Sequence, residues 1–298
     1  PTPSRNQLST SEDYYPEHGL LVNDGEVTVW NQVDTLVSPE IIENIRQLYD
    51  QIDFAHVRFV PLIEGNFSYH KQTDLPLSEY CTFLNVVKTL APKMVVPGAA
   101  FFRYRDEIGF LNQYSFPTTV EQFIRDLTAF CPEVPCKSFL HGDVAHITEG
   151  GVRIEKQSSD FVRMQEDDSH LATFKPVMEV PAIKTQTTDP TEYDREMKVV
   201  AEFLENCLLE RILNSELLGG WQHWQIVYQL EVFGQEDSQI GAIDFGHPGK
   251  PVLHKGDLGK INLYEGISSS ELCALIEGTT SWDYVTLCGN YRTFSNIY

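Results

Sequence analysis

The sequence predicts an α/β protein, and three observations predict it. Short apolar runs flank glycine turns early in the chain, capped amphipathic stretches alternate with buried apolar runs up to residue 98, and a long helical stretch near residue 200 is followed by two alternating runs. The alternation places helices over strands. No internal repeat interrupts it.

Leu20-Leu21-Val22 and Val27-Thr28-Val29-Trp30 flank Asn23-Asp24-Gly25, a hairpin signal in which glycine supplies positive φ. His18 stands just before the first strand and Asp34 just after the second, so the hairpin returns both to one end. Ser38-Pro39-Glu40 opens a helix carried by Ile41, Ile42, Ile45, Leu48 and Tyr49, with Ser38 as N-cap. Residues 53–62 form a strand containing His56, which as a lone strand histidine reads as a core or edge residue. A second helix runs from Ser78 to Leu90 and ends at Ala91-Pro92. Lys93 to Val96 is a buried strand stopping at Pro97-Gly98. Thr118-Thr119-Val120-Glu121 caps a third helix that ends near Phe130.

Phe139-Leu140-His141-Gly142-Asp143 precedes a strand at Val144 to Ile147 and reads mainly as a turn. A kinase-like phosphotransferase is the less favoured alternative for His141-Gly142-Asp143 with Asp244-Phe245-Gly246. Thr148 occupies the catalytic-loop asparagine position, about 100 residues separate the two motifs, and neither a glycine-rich phosphate loop nor a strand lysine precedes them. Residues 157–195 are polar and acidic and read as a linker or excursion. Helical periodicity then runs from Glu192 to Leu218, with Gly219-Gly220 as its stop. A hairpin of strands at 223–232 and 238–245 follows, turning at Gly234-Gln235-Glu236-Asp237. A strand at Ile261 to Tyr264 and a Ser-capped helix at Ser268 to Glu277 complete the tail. The domain expectation is therefore 1–156, then the 157–195 excursion, then an α+β region over 196–298.

Acidic residues number 43 against 22 basic ones, for a formal charge of −21. That field repels nucleic acid and anionic membranes, which excludes both as expected partners. No run approaches the ~18 apolar residues of a membrane span, and Pro1 to Ser11 lacks a signal-peptide core, so a cytoplasmic location is expected. The six cysteines form no Cys-x-x-Cys and read as reduced thiols.

His18 and Asp34 carry a resemblance. His, strand, turn, strand, Asp resembles the middle segment of the metallo-β-lactamase superfamily, and Asp53-Phe54-Ala55-His56, Ile63 to Tyr69, Val95 to Phe102 and the tail from Ser281 to Phe294 resemble its branch of CMP-N-acetylneuraminate hydroxylases. The resemblance implies an αββα half-fold, the C-terminal half of that architecture, with a C-terminal α+β extension. It also implies metal ligation by His18 and Asp34, with Asp34 bridging two divalent ions, iron or zinc. The family's His-x-His-x-Asp-His is absent from this sequence, as are the Cys-x-His pairs of a Rieske cluster. A protein partner or a preceding segment would then supply the remaining ligands. The implied activity is that of a metal-dependent oxygenase or hydrolase subunit of a hetero-oligomer acting on a small polar molecule. The alternative is a non-catalytic scaffold subunit that has lost the metal. Glu64, Asn66, Tyr69 and Arg103 are the expected substrate-orienting residues.

Overall fold

The computed structural model describes residues 2–3, 18–61, 63–98, 102–162, 173–247 and 249–296. Helices and strands alternate in a mixed α/β arrangement. The chain forms two compact units: Pro1–Ile63 with Asp74–Tyr104 and Asn112–Lys175, and Glu64–Thr73 with Arg105–Leu111 and Pro176–Tyr298. The main division thus falls inside the polar 157–195 stretch, whose acidic run Gln165 to Asp168 lies outside the described residues.

In the first unit the sheet order is β1 (Thr2–Pro3), β2 (His18–Asn23), β3 (Thr28–Asn31), β4 (Phe54–Arg58) and β5 (Met94–Gly98). β2 and β3 are the antiparallel hairpin, with Leu20 opposite Asn31 and Val22 opposite Val29, and Gly25 at φ 98° makes its turn. β3, β4 and β5 are parallel, as crossover helices require. The crossovers are α1 (Pro39–Leu48) and α2 (Leu77–Leu90); Ser38 Oγ accepts from Ile41 N–H, as its sequence context predicts. A short helix, α3 (Asn112–Ser115), precedes α4 (Val120–Phe130), whose N-cap is Thr119.

One sheet face is built for these helices. Trp30, Ala55, Val57 and Val95 pack with Ile42, Ile45, Phe83, Val87, Phe123 and Leu127 in a single core. The opposite face takes Phe54, Met94 and Val96, against which the hairpin β6 (Val144–Thr148) and β7 (Gly151–Glu155) lays Ala145, Ile147, Val152 and Ile154. That hairpin covers the β5 side. On the β2 side, Leu20 is 54% and Val22 51% exposed, while Leu21 between them packs on the helical core.

The strands' N-terminal ends are tied by buried Asp53. Its carboxylate accepts from Thr28 N–H at 2.7 Å and pairs with Lys93 Nζ at 2.6 Å, while its own N–H donates to the Thr28 carbonyl at 2.8 Å. The three parallel strands are thereby locked in register at one end. Their other end carries Asp34, with His18 beside it on β2.

The second unit has the sheet order β10 (Leu253–Lys255), β9 (Ser238–Asp244), β8 (Val227–Phe233), β11 (Leu263–Ser268) and β12 (Tyr291–Ser295). Only β8 and β11 are parallel among these pairs. Helices α5 (Pro190–Glu202), α6 (Leu208–Leu213), α7 (Leu217–His223), α8 (Ser269–Glu277) and α9 (Trp282–Leu287) accompany it. Val200, Leu204, Leu208 and Ile212 meet Ile226, Tyr228, Leu230, Val232 and Ile243 in its core.

The sequence's single helix over 192–218 is corrected here. A π-helical segment at Phe203–Cys207 separates α5 from α6, and the chain turns at Asn214 before α7. Gly219 and Gly220 lie inside α7 rather than ending a helix. Trp221 to Trp224 are helical or capping, and the strand expected from residue 223 begins at Val227. The cause is Gln225, at φ 54°, whose left-handed backbone closes the helix and defers the strand.

The expected linker is not loose throughout. Buried Glu196 on α5 accepts hydrogen bonds from Thr185 Oγ1 at 2.9 Å, Thr187 Oγ1 at 2.6 Å and Ser269 Oγ. Thr185 N–H also donates to the Gly234 carbonyl at 3.1 Å. The threonine-rich stretch is therefore stitched to the second sheet. All six cysteines are free thiols.

Candidate functional site

The C-terminal end of the parallel strands is where the two expected metal ligands lie. His18 is the first residue of β2 rather than preceding it, is exposed, and shares an end of the hairpin with Asp34, which follows β3 at half burial. Alternation along β2 puts His18 on the open face with Leu20 and Val22. Neither the His18 imidazole nor the Asp34 carboxylate makes a hydrogen bond or ion pair among the described residues.

The turn bearing Asp34 is bonded on every side. Gln32 N–H donates to the His56 carbonyl at 2.9 Å, and Thr35 returns both its N–H, at 3.3 Å, and its hydroxyl, at 2.7 Å, to the Gln32 carbonyl. The Gln32 amide bridges outward: its nitrogen donates to the Thr35 carbonyl at 2.7 Å and its oxygen accepts from Arg58 N–H at 3.1 Å. Arg58, 2% exposed, donates from Nη1 to the Asp34 carbonyl at 3.0 Å, from Nε to the Val60 carbonyl at 3.0 Å and from Nη2 to Glu79 at 3.1 Å. Its guanidinium lies 5.1 Å from the Phe83 ring centre. Inside the turn Val33 sits at φ 56°, a left-handed conformation that costs a β-branched residue about 1–2 kcal/mol. A 280 Å³ cavity opens beside it, lined by Gln32, Leu36, Glu79 and Phe83 among others.

His56 adds a second imidazole to the open face. Asn31 Oδ1 already accepts from Val33 N–H at 3.0 Å, so the 2.9 Å contact with His56 Nδ1 assigns the proton to Nδ1 and leaves Nε2 as the lone pair. Its ring occupies the space a side chain at Gly98 would need, since a Cβ there falls 1.5 Å from Nε2. Glycine is required at 98 for this close approach. Burial depresses the His56 pKa below 6.5. An imidazole with a depressed folded pKa binds fewer protons folded than unfolded. Its contribution to stability is full above pH 6.5 and is lost as pH falls through the depressed value. Urea unfolding between pH 7.5 and 5 is expected to show a falling midpoint whose slope is reduced in His56→Gln.

The other expected residues lie elsewhere. Glu64, Asn66 and Tyr69 share one turn-rich stretch of the second unit, and Arg103 belongs to the first. Asn66 Nδ2 donates to the Gln72 carbonyl at 2.7 Å, and Tyr69 packs edge-on against Tyr291 at 6.0 Å, with burial raising its hydroxyl pKa. The Arg103 guanidinium stands 5.1 Å from the Phe116 ring centre. A 460 Å³ cleft in the second unit is lined instead by Arg105, Lys184, Glu271, Cys288 and Arg292 among others. Burial pushes the Cys288 thiol up to about 11 and lifts the Glu271 carboxyl.

Asp143 caps a turn. Its carboxylate accepts from Leu140 N–H at 2.7 Å and pairs with Lys156 at 2.7 Å. Burial opposes its ionisation, yet these donors hold the pKa below the ordinary aspartate value. His141 and Gly142 form the turn before β6.

A metal site is tested by these donors. His18 and Asp34 have suitable chemistry for zinc or iron, but among the described residues no group of three or more His, Cys, Asp or Glu side chains is arranged to hold an ion. The pair fits as part of a ligand set. No helix among the described residues is long and apolar enough to cross a membrane.

Compared with known proteins, the chain matches no family model and no curated protein at a significant level. Among solved structures, apo sterol carrier protein 2 from Yarrowia lipolytica is similar over 37% of this chain and 92% of that one, at 11% identity and a TM-score of 0.25. A likeness of that size carries no conclusion about fold or function.

Proposed function

We propose that the first unit is a metallo-β-lactamase-like half-fold and that the chain is a subunit of a metal-dependent oxygenase or hydrolase acting on a small polar molecule. The observation carrying this reading is the open sheet face. Its helical side is closed by α1, α2 and α4, whereas Leu20 and Val22 beside His18 stand half in water. Covering them is worth about 1 kcal/mol each. In an αββα sandwich a second sheet covers such a face, and in this reading that sheet brings the His-x-His-x-Asp-His ligands to His18 and Asp34. A divalent ion held there would acidify a coordinated water or polarise a substrate oxygen. This chain's part is to hold an imidazole and a carboxylate at one edge of the joint.

A second reading, a non-catalytic scaffold subunit, is favoured by the incomplete ligand set among the described residues. Metal content by mass spectrometry separates the two. The chain alone and the chain co-purified with its cellular partners are compared; zinc or iron is expected only in the complex, and at less than a tenth of that level in Asp34→Asn. Metal-free complexes with catalytic turnover absent overturn the enzyme reading in favour of the scaffold.

A further inference from the structure

We infer that the turn Gln32–Thr35 is a rigid mount for the Asp34 carboxylate, with Gln32 and Arg58 as positioning residues. This rests on the proposed metal reading and adds which residues aim the ligand. A four-residue connection does not of itself need a buried arginine. Here the turn receives a buried guanidinium on the Asp34 carbonyl, a buried glutamine side chain spanning from Arg58 N–H to the Thr35 carbonyl, and the Asn31 amide oxygen on Val33 N–H. The carboxylate in the middle is the group left without a partner among the described residues.

The left-handed Val33 points the same way. A left-handed β-branched residue persists only where its surroundings over-determine it, and such residues gather at functional sites. The bonds around it supply that determination. Asp34 follows directly, so the direction of its Cα–Cβ bond is set by a backbone held on both sides, and the carboxylate is left only its own side-chain rotamers. Arg58 is held in turn by Glu79 and the Val60 carbonyl, which ties the mount to α2 and to the end of β4. Removing a group bonded directly to a metal ligand costs roughly 10–100-fold in affinity, and a mount that acts through the backbone is expected to reach the lower end of that range.

The test uses Co²⁺ titration of the full chain, followed by NMR of the His18 imidazole and the Asp34 carboxyl carbon. Both signals are expected to respond together, and Asp34→Asn is expected to abolish the shared response. Gln32→Met removes both amide bonds at near-constant size, and Thr35→Val removes one hydroxyl bond should the former fail to fold. Each is expected to weaken Co²⁺ at least tenfold with the His18 shifts of the free chain unchanged. Wild-type affinity in both variants overturns the mount while leaving the metal reading intact. A Co²⁺ response that survives Asp34→Asn overturns the metal reading instead, whereas a response absent from the unaltered chain alone agrees with a metal retained only in the complex. The mount is then judged from side-chain couplings of Asp34: one rotamer in the unaltered chain that averages in Gln32→Met supports it, and averaging in the unaltered chain sinks it.

Discussion

Arg58→Met is expected to cost about 3–5 kcal/mol of unfolding free energy, measured by urea denaturation at pH 7. The methionine keeps most of the buried volume, so the loss is electrostatic and polar rather than a cavity. Three acceptors lose their donor at once: the Asp34 and Val60 carbonyls and the Glu79 carboxylate. Glu79 is one-third exposed and recovers part of its hydration, which places the cost near the lower bound. Glu79→Gln, which retains an acceptor, is expected to cost about 1 kcal/mol. Equal midpoints for Arg58→Met and the unaltered chain would falsify the claim that this guanidinium holds the end of β4 to the Asp34 turn.

Glu196→Ala is expected to destabilise the chain by about 3 kcal/mol, because three hydroxyl donors lose a common buried acceptor. The effect has a location. Amide exchange should accelerate at Thr185, whose N–H bonds the Gly234 carbonyl, before it does so in β8 and β9. Glu196→Gln, still an acceptor, is expected to lose about 1 kcal/mol and leave that pattern intact. Uniform acceleration over the whole chain would instead assign Glu196 to global stability alone.

Local chemistry made much of the fold legible. Ser38, Thr119, Ser268 and Ser281 each accept from the N–H three residues on, so the helix starts follow from hydroxyl groups ahead of apolar periodicity. Gly25 fixed the first hairpin and 234–237 the second. The stretch from Glu192 to His223 was misread because apolar spacing is blind to a π turn: Phe203–Cys207 adds a residue and rotates α6, so both halves still face one core. His18 and Asp34 were named as expected ligands from pattern alone. Gln32 and Arg58 were not, since nothing in their neighbourhood marks a buried arginine whose partner, Glu79, lies 21 positions on. The oxygen of Asn31 that fixes the His56 tautomer was equally hidden, 25 positions away.

The open face beside β2 has a consequence for the life of the chain in a cell. Newly made copies would present Leu20 and Val22 on a preformed sheet, a surface that holdases and proteases read as unfinished. Its abundance would then track the supply of whatever covers that sheet. Surplus copies would be cleared.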